Sequence, residues 1–340
     1  MADAGEFGLI ARYFTRSTPS ALLGPGDDCA LLAPTPGKVL AVTTDMLVAG
    51  VHFLPDTDPE RLGWKSLAVN LSDLAAMGAT ARWVTLAGAL PAADEVWLAA
   101  FARGFFACAE AHGVELVGGD TTAGPLNLCV TALGEIEPDQ ALRRSGAQVG
   151  DEVWVSGRPG LAALGLAHLQ GRVRLPEPWP RLCLAALEKP RPRLALGAAL
   201  RSVAHAAIDI SDGMLADLGH LARASGLAAT LHLVQLPQLR ELAGSGARYD
   251  ADLRRLALEC QLSGGDDYEL LFTAARGQHN RIAEIAAELE LPLWCIGEMS
   301  AGTPGAVQVL DPDGEPVEFA RRGYEHFQAA VPDQAPHAHG

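Results

Sequence analysis

Basic residues are scarce in this 340-residue chain: 26 Lys and Arg stand against 41 Asp and Glu, a net charge of −15. That balance repels phosphate backbones and argues against a nucleic-acid binder, unless divalent metals sit between acid and phosphate. Long hydrophobic runs are absent too. The longest stretch without Asp, Glu, Lys or Arg, Ala224–Leu239, contains Gly226, His232, Gln235 and Pro237, and a spanning helix needs about 20 mostly apolar residues. No membrane segment is expected. The first residues lack a basic n-region and an apolar h-region, so no signal peptide is expected either. Cys29, Cys108, Cys129, Cys183, Cys260 and Cys295 form no C-x-x-C pair and no zinc-spaced cluster. Such scattered cysteines read as small buried hydrophobes in a reducing cytoplasm. Also missing are the nucleotide loops G-x-x-x-x-G-K-[ST] and G-x-G-x-x-G, and the hydrolase patterns H-E-x-x-H and G-x-S-x-G.

What is present is globular. The length suits about two domains, and 49% hydrophobic with 20% charged residues excludes wholesale disorder. Glu6–Phe14 reads as a short amphipathic helix and 38–44 as a buried strand ending at Asp45. Pro59 opens a helix that runs to Met77, closed by Gly78, with Trp64, Leu67, Leu71 and Leu74 on one face and Asp73 pointing away. A strand at 83–90, a helix at 94–112, a strand at 115–117 before Gly118-Gly119-Asp120, and a strand at 126–136 follow. The polar, turn-rich run 137–150 reads as a domain junction. Beyond it come a strand at 152–156, a helix at 160–169, a proline-rich connection around a short helix at 171–192, a helix at 194–203, a strand at 206–210 and a helix at 212–225 whose N-cap region is Ser211-Asp212-Gly213. Strands near 228–233, 269–273 and 293–297 complete the pattern, and the tail from Gln328 reads as disordered.

Aspartates recur where a strand ends or a glycine turn begins: Gly26-Asp27-Asp28, Thr43-Thr44-Asp45, Gly118-Gly119-Asp120, Asp209-Ile210-Ser211-Asp212-Gly213 and Gly264-Gly265-Asp266-Asp267. Asp73 adds a sixth point. Any one of these is an ordinary turn. Together, at positions where α/β sites collect, they suit hard divalent cations that bridge to phosphate. Arg143-Arg144 reads as a solvated loop or as a phosphate clamp. Alone, His52 reads as a structural histidine and Tyr324 as a packing residue.

The runs GEFGLIARYF, GPGDDCALL, VTTDMLVAGVHF, AVNLSDLAAMGA, LVGGDTT, RRSGAQVGD, IDISDGMLADLGHLARASG, LSGGDDYELLF and RRGYEHF span residues 5 to 327. As an ordered set they resemble the thiamine-monophosphate kinases of the PurM-like superfamily. The resemblance implies an α+β, two-domain PurM-like fold. Residues 1–137 would be an N-terminal mixed-sheet ATP and metal domain that dimerises into a barrel, residues 138–327 a C-terminal α/β domain, and 328–340 the tail. It implies ATP plus thiamine monophosphate going to ADP plus thiamine diphosphate, by direct in-line transfer with several Mg²⁺ ions, in a cytoplasmic homodimer. Carried over by position, the metal ligands are Asp28, Thr43, Thr44, Asp45, Asp73, Asp120, Asp209 and Asp212. ATP contacts are Gly119, Asp120, Arg144 and Ser211. His52, Asp266 and Tyr324 belong to the substrate side, and Asp45 and Asp120 lie nearest the transferring phosphoryl group.

This chain has Asp266 where the family more often has Glu, one methylene longer. Two related enzymes fit less well. A selenophosphate synthetase needs a reactive residue near its N-terminus, but Cys29 lies inside the Asp28 motif. A hydrogenase-maturation protein ends in a functional Cys, but the last Cys here is Cys295. A non-catalytic nucleotide or thiamine-phosphate binder is the alternative from another class.

Overall fold

The computed structural model describes residues 6–239, 251–320 and 323–325. The chain begins with α1 (Glu6–Tyr13), β1 (Val39–Val48), α2 (Pro59–Ala76), β2 (Thr80–Leu90), α3 (Glu95–His112), β3 (Glu115–Ala123) and β4 (Asn127–Ile136). After an irregular stretch come β5 (Glu152–Ser156), α4 (Leu161–Leu169), α5 (Trp179–Glu188), α6 (Leu194–Leu200), β6 (Ala206–Asp209), α7 (Met214–Ala224) and β7 (Ala228–His232). Then follow α8 (Ala251–Ser263), β8 (Leu270–Ala274), α9 (His279–Glu288), β9 (Leu293–Ser300) and β10 (Val307–Leu310). β10 was not anticipated from the sequence. The tail expected from Gln328 onward lies outside the described residues.

Among the described residues the strands form two sheets, ordered β1-β4-β2-β3 and β10-β7-β9-β5-β8-β6. In the first, β4 is antiparallel to β1 and β2, while β2 and β3 run parallel. Each sheet has its own apolar core. Leu47, Leu67, Leu71, Phe101, Phe105 and Val130 belong to the first, and Val153, Ile208, Leu218, Leu231, Leu271 and Ile296 to the second.

Two of the strands that carry expected site residues run on past the ends the sequence suggested. β1 pairs with β4 from Val39↔Ile136 to Val48↔Asn127, so Asp45 lies opposite Val130 inside the ladder rather than at a strand end. β3 likewise continues through Asp120 to Ala123. A strand ends where its hydrogen-bonded partner ends, and a Gly-Asp pair does not decide that. The seventh helix starts later than expected, at Met214. Its entry is capped from inside the first turn: Asp217 accepts the N–H groups of Ser211, Asp212 and Gly213 at 3.1, 3.1 and 3.0 Å. The cysteines are all free, but Cys29 is exposed, because it sits in the solvent-facing turn after Asp28.

The helix α2 is the centre of the molecule. Asp58 caps it by accepting the Arg61 N–H at 3.0 Å, and Pro59 occupies the first turn. It packs against β1, β4 and α3 on one side and α6, β6 and β8 on the other. A helix between two sheets has no solvent face, so Lys65, Ser66, Asn70 and Ser72 are buried beside the expected apolar stripe. Buried polar groups need partners, and those partners define the site.

Candidate functional site

Side chains alternate along β1, so Thr43 and Asp45 face α2 while Thr44 faces the other way. Thr43 donates its hydroxyl to Asp73, and the Asp45 N–H donates to Asn70 Oδ1 at 3.0 Å. One residue before Asp73, Ser72 Oγ donates to Asp209 Oδ2 at 2.8 Å, at the end of β6. One turn of α2 thus gathers Asp45, Asp73 and Asp209 from two sheets.

The electrostatics show that these acids feel one another. Burial, then the charge of Asp73, pushes Asp45 up to about 6. Burial raises Asp73 as well, opposed by the Thr43 hydroxyl and the positive charge of Arg144. Asp209 is raised by burial and then by Asp73, with the Ser72 hydrogen bond opposing. Three acids this close are costly when ionised without a cation. They are hard oxygen donors, with Thr43 and Ser72 beside them, and that donor set fits Mg²⁺. Such an ion uses one or two carboxylates and completes its shell with phosphate oxygens and water. Among the described residues no three His, Cys, Asp or Glu side chains form a ready-made metal cage.

The other expected metal and nucleotide residues lie apart from this group. Asp28 is exposed in the turn bridged by Leu23 and Leu31. Thr44 pairs with the Thr131 hydroxyl at 2.9 Å on the outer face of the sheet. Asp120 lies on β3 opposite Ala87, in the row that contains Cys129 and Met46, so it also leaves the outer face. β1 and β3 are the two edges of the sheet, three strand spacings or about 14 Å apart. A single chain therefore does not bring Asp45 and Asp120 together. Gly119 has to be glycine: its φ is +154° and a Cβ would lie 1.9 Å from the Leu86 carbonyl oxygen. Arg144 is exposed near Asp73. Ser211 and Asp212 form the link between β6 and α7, and the charge of Asp212 acts on Asp217.

Of the three residues expected on the substrate side, two share a cleft. His52 and Asp266 line one cleft of about 90 Å³ with Phe53, Leu62, Leu166 and Glu188. His52 Nδ1 accepts the Val48 N–H at 3.0 Å, and the Asp266 N–H donates to the Ser211 carbonyl at 2.8 Å. Tyr324 is 51% exposed, and its N–H donates to the Asp212 carbonyl at 2.9 Å.

Domain families match both parts of the chain: AIR synthase related protein, N-terminal domain, over residues 26–136, and AIR synthase related protein, C-terminal domain, over residues 148–310. Thiamine-monophosphate kinase of Salmonella typhimurium is 47% identical over 331 residues, covering 95% of this chain and 98% of that protein. The chain belongs to the thiamine-monophosphate kinase family. The crystal structure of thiamine-monophosphate kinase from Stenotrophomonas maltophilia K279a is 48% identical, with a TM-score of 0.78 over 91% of this chain and 95% of that one. AaThiL, complexed with AMPPCP and TMP, is 32% identical, with a TM-score of 0.72 over 95% and 97%.

In this member of the thiamine-monophosphate kinase family, several residues of the site carried no legible signal. Lys65 pairs with Asp266. Asn70 and Ser72 hold the acid group. Tyr268 bridges it to the cleft, its pKa raised well above the usual phenol value by burial and by Asp266, Asp45 and Asp209. Tyr268 lies in the LSGGDDYELLF run and Asn70 and Ser72 in AVNLSDLAAMGA, but none of the three stands out there. Lys65, outside every such run, is an ordinary helix residue until Asp266 packs against it. Among the described residues no helix is long and apolar enough to cross a membrane.

Proposed function

We propose that this chain transfers the γ-phosphoryl group of ATP to thiamine monophosphate, forming ADP and thiamine diphosphate. The observation that carries this reading is the full-length relationship to thiamine-monophosphate kinases, one relative having been solved with AMPPCP and TMP.

The residues explain how such a reaction would run. The acceptor oxygen belongs to a phosphate already largely anionic at neutral pH, with a second pKa of about 6, so no strong general base is required. The difficulty is the approach of two polyanions, and bound Mg²⁺ would supply the compensating charge. Asp45, Asp73 and Asp209 would hold the ions, with Thr43 close by. Asp28, Thr44, Asp120 and Asp212 would complete the ligand set through loops and edges. Gly119 lets the backbone pack closely against β2 beside Asp120, and with Arg144 and Ser211 it would receive the ATP phosphates. His52 and Asp266 would bind the acceptor in their cleft, and exposed Tyr324 would cover its aromatic part.

A homodimer belongs to the same reading. Val42 and Met46 on β1 are 60% and 52% exposed, on the sheet face that also carries Thr44 and Asp120. Apolar exposure of this kind suits a second copy, and joining the two sheets into a barrel would bring one β1 edge towards the other chain's β3 edge. The strand that carries Asp45 in one chain would then lie beside the strand that carries Asp120 in the other.

The test is ATP turnover with Mg²⁺ and thiamine monophosphate, free thiamine or no acceptor, with products separated by chromatography. Thiamine diphosphate formed from thiamine monophosphate alone is expected. Folded protein that forms none would overturn the reading.

A further inference from the structure

The Lys65 side chain is 4% exposed, buried under the acceptor cleft, and none of the roles above uses it. A buried ammonium persists only when paired, and its ion-pair partner among the described residues is Asp266. That pair joins α2 to a loop 201 residues further along the chain.

The loop itself is held against local preference. Asp266 has φ +74° and Tyr268 φ +52°, left-handed values that non-glycine residues seldom adopt. Gly265 packs so tightly that a Cβ there would lie 2.2 Å from the Ser211 carbonyl oxygen. Two backbone hydrogen bonds secure the main chain: Asp266 N–H to Ser211 O at 2.8 Å and Tyr268 N–H to Ile210 O at 2.9 Å. Neither bond aims the carboxylate. That task falls to Lys65, assisted by the Tyr268 hydroxyl. The Asp266 side chain remains 27% exposed, on the wall of the cleft that His52 lines.

We propose that Lys65 is a positioning residue, holding the Asp266 carboxylate at the acceptor cleft. Lys65 and Asp73 lie on the same helix, about two turns apart. α2 thereby sets the offset between the acid group and the acceptor end of the site, and Lys65 is its second anchor. This inference rests on the kinase reading, because it names the acceptor as the ligand of Asp266.

The experiment compares wild type, K65M, K65Q, D266N and the K65M/D266N double variant in the full chain. It measures kcat, both KM values and the calorimetric affinity for thiamine monophosphate. Losing a hydrogen bond to a charged group is expected to raise the acceptor KM about tenfold or more in K65M, with the ATP KM nearly unchanged. K65Q keeps an N–H donor and is expected to fall between K65M and wild type. D266N should match K65M, and the double variant should be no worse than the poorer single one, because both changes break one contact. A purely structural lysine would lower stability and disturb both substrates alike. An unchanged acceptor KM and affinity in K65M, or additive effects in the double variant, would overturn the proposal. Should K65M fail to fold, K65Q is read against the same criterion. Wild-type protein that binds thiamine monophosphate without turning it over would sink the kinase reading alone, since the calorimetric comparison still decides the role of Lys65. Wild-type protein that does not bind it at all would overturn both.

Discussion

Ser72 Oγ donates a 2.8 Å hydrogen bond to Asp209 Oδ2, on a strand of the other sheet, while the next residue, Asp73, accepts the Thr43 hydroxyl from β1. Two consecutive residues of α2 therefore pin both sheets to one acid group.

Removing that hydroxyl leaves a buried carboxyl group short of a partner. S72A is expected to lose about 1–3 kcal/mol of stability, measured by urea unfolding, and to lower kcat as the acid group loosens. Unchanged stability would show that Asp209 is solvated by another route.

The proposed reaction puts both Asp45 and Asp120 at the transferring phosphoryl group, although β1 and β3 are opposite edges of one sheet. D45N and D120N should each cut kcat by orders of magnitude and leave the circular dichroism spectrum intact. Mixed after unfolding and refolding together, the two inactive variants should regain part of the wild-type rate, since one site of each heterodimer then has both acids. No recovery, in protein shown to form mixed dimers, would remove one of the two acids from the site.

The exposed face of β1 gives a separate test of the dimer. V42E puts a charge amid Met46 and its neighbours. It should convert a dimer to a monomer in light scattering without lowering helix content. A variant that stays dimeric would move the interface elsewhere.

A pH effect follows from His112, packed edge-on against Trp64 at 6.2 Å. Burial holds its pKa below the ordinary 6.5. The unfolded chain then binds the proton more readily, so stability is present above about pH 6.5 and is lost as pH falls below it. H112Q cannot titrate and should show a smaller drop in Tm between pH 7.5 and pH 5. Equal drops would mean that the acid sensitivity lies in other groups.

Much of the architecture was legible because its causes are local. Pro59 announces a helix start because its fixed φ suits the first turn, whereas the placing of Thr44 on the opposite face from Thr43 and Asp45 came from the pairing of β1 with β4. Of the runs of Asp and Gly, those at 26–28, 209–213 and 264–267 fall at turns or links, while those at 43–45 and 118–120 lie inside strands. What they could not mark was the extent of β1 and β3, which depends on pairing with β4 and β2.

The acid count, the ordered motifs and the Pro59 helix start were readable from the linear chain, because each is a property of neighbours in sequence. The gathering of Asp45, Asp73 and Asp209, the pairing of Lys65 with Asp266, and the separation of Asp45 from Asp120 were not. Those depend on α2 lying between two sheets and on strand order, which bring together or hold apart residues up to 201 positions distant. A buried lysine looks like any surface lysine until the structure shows that it has no water to face.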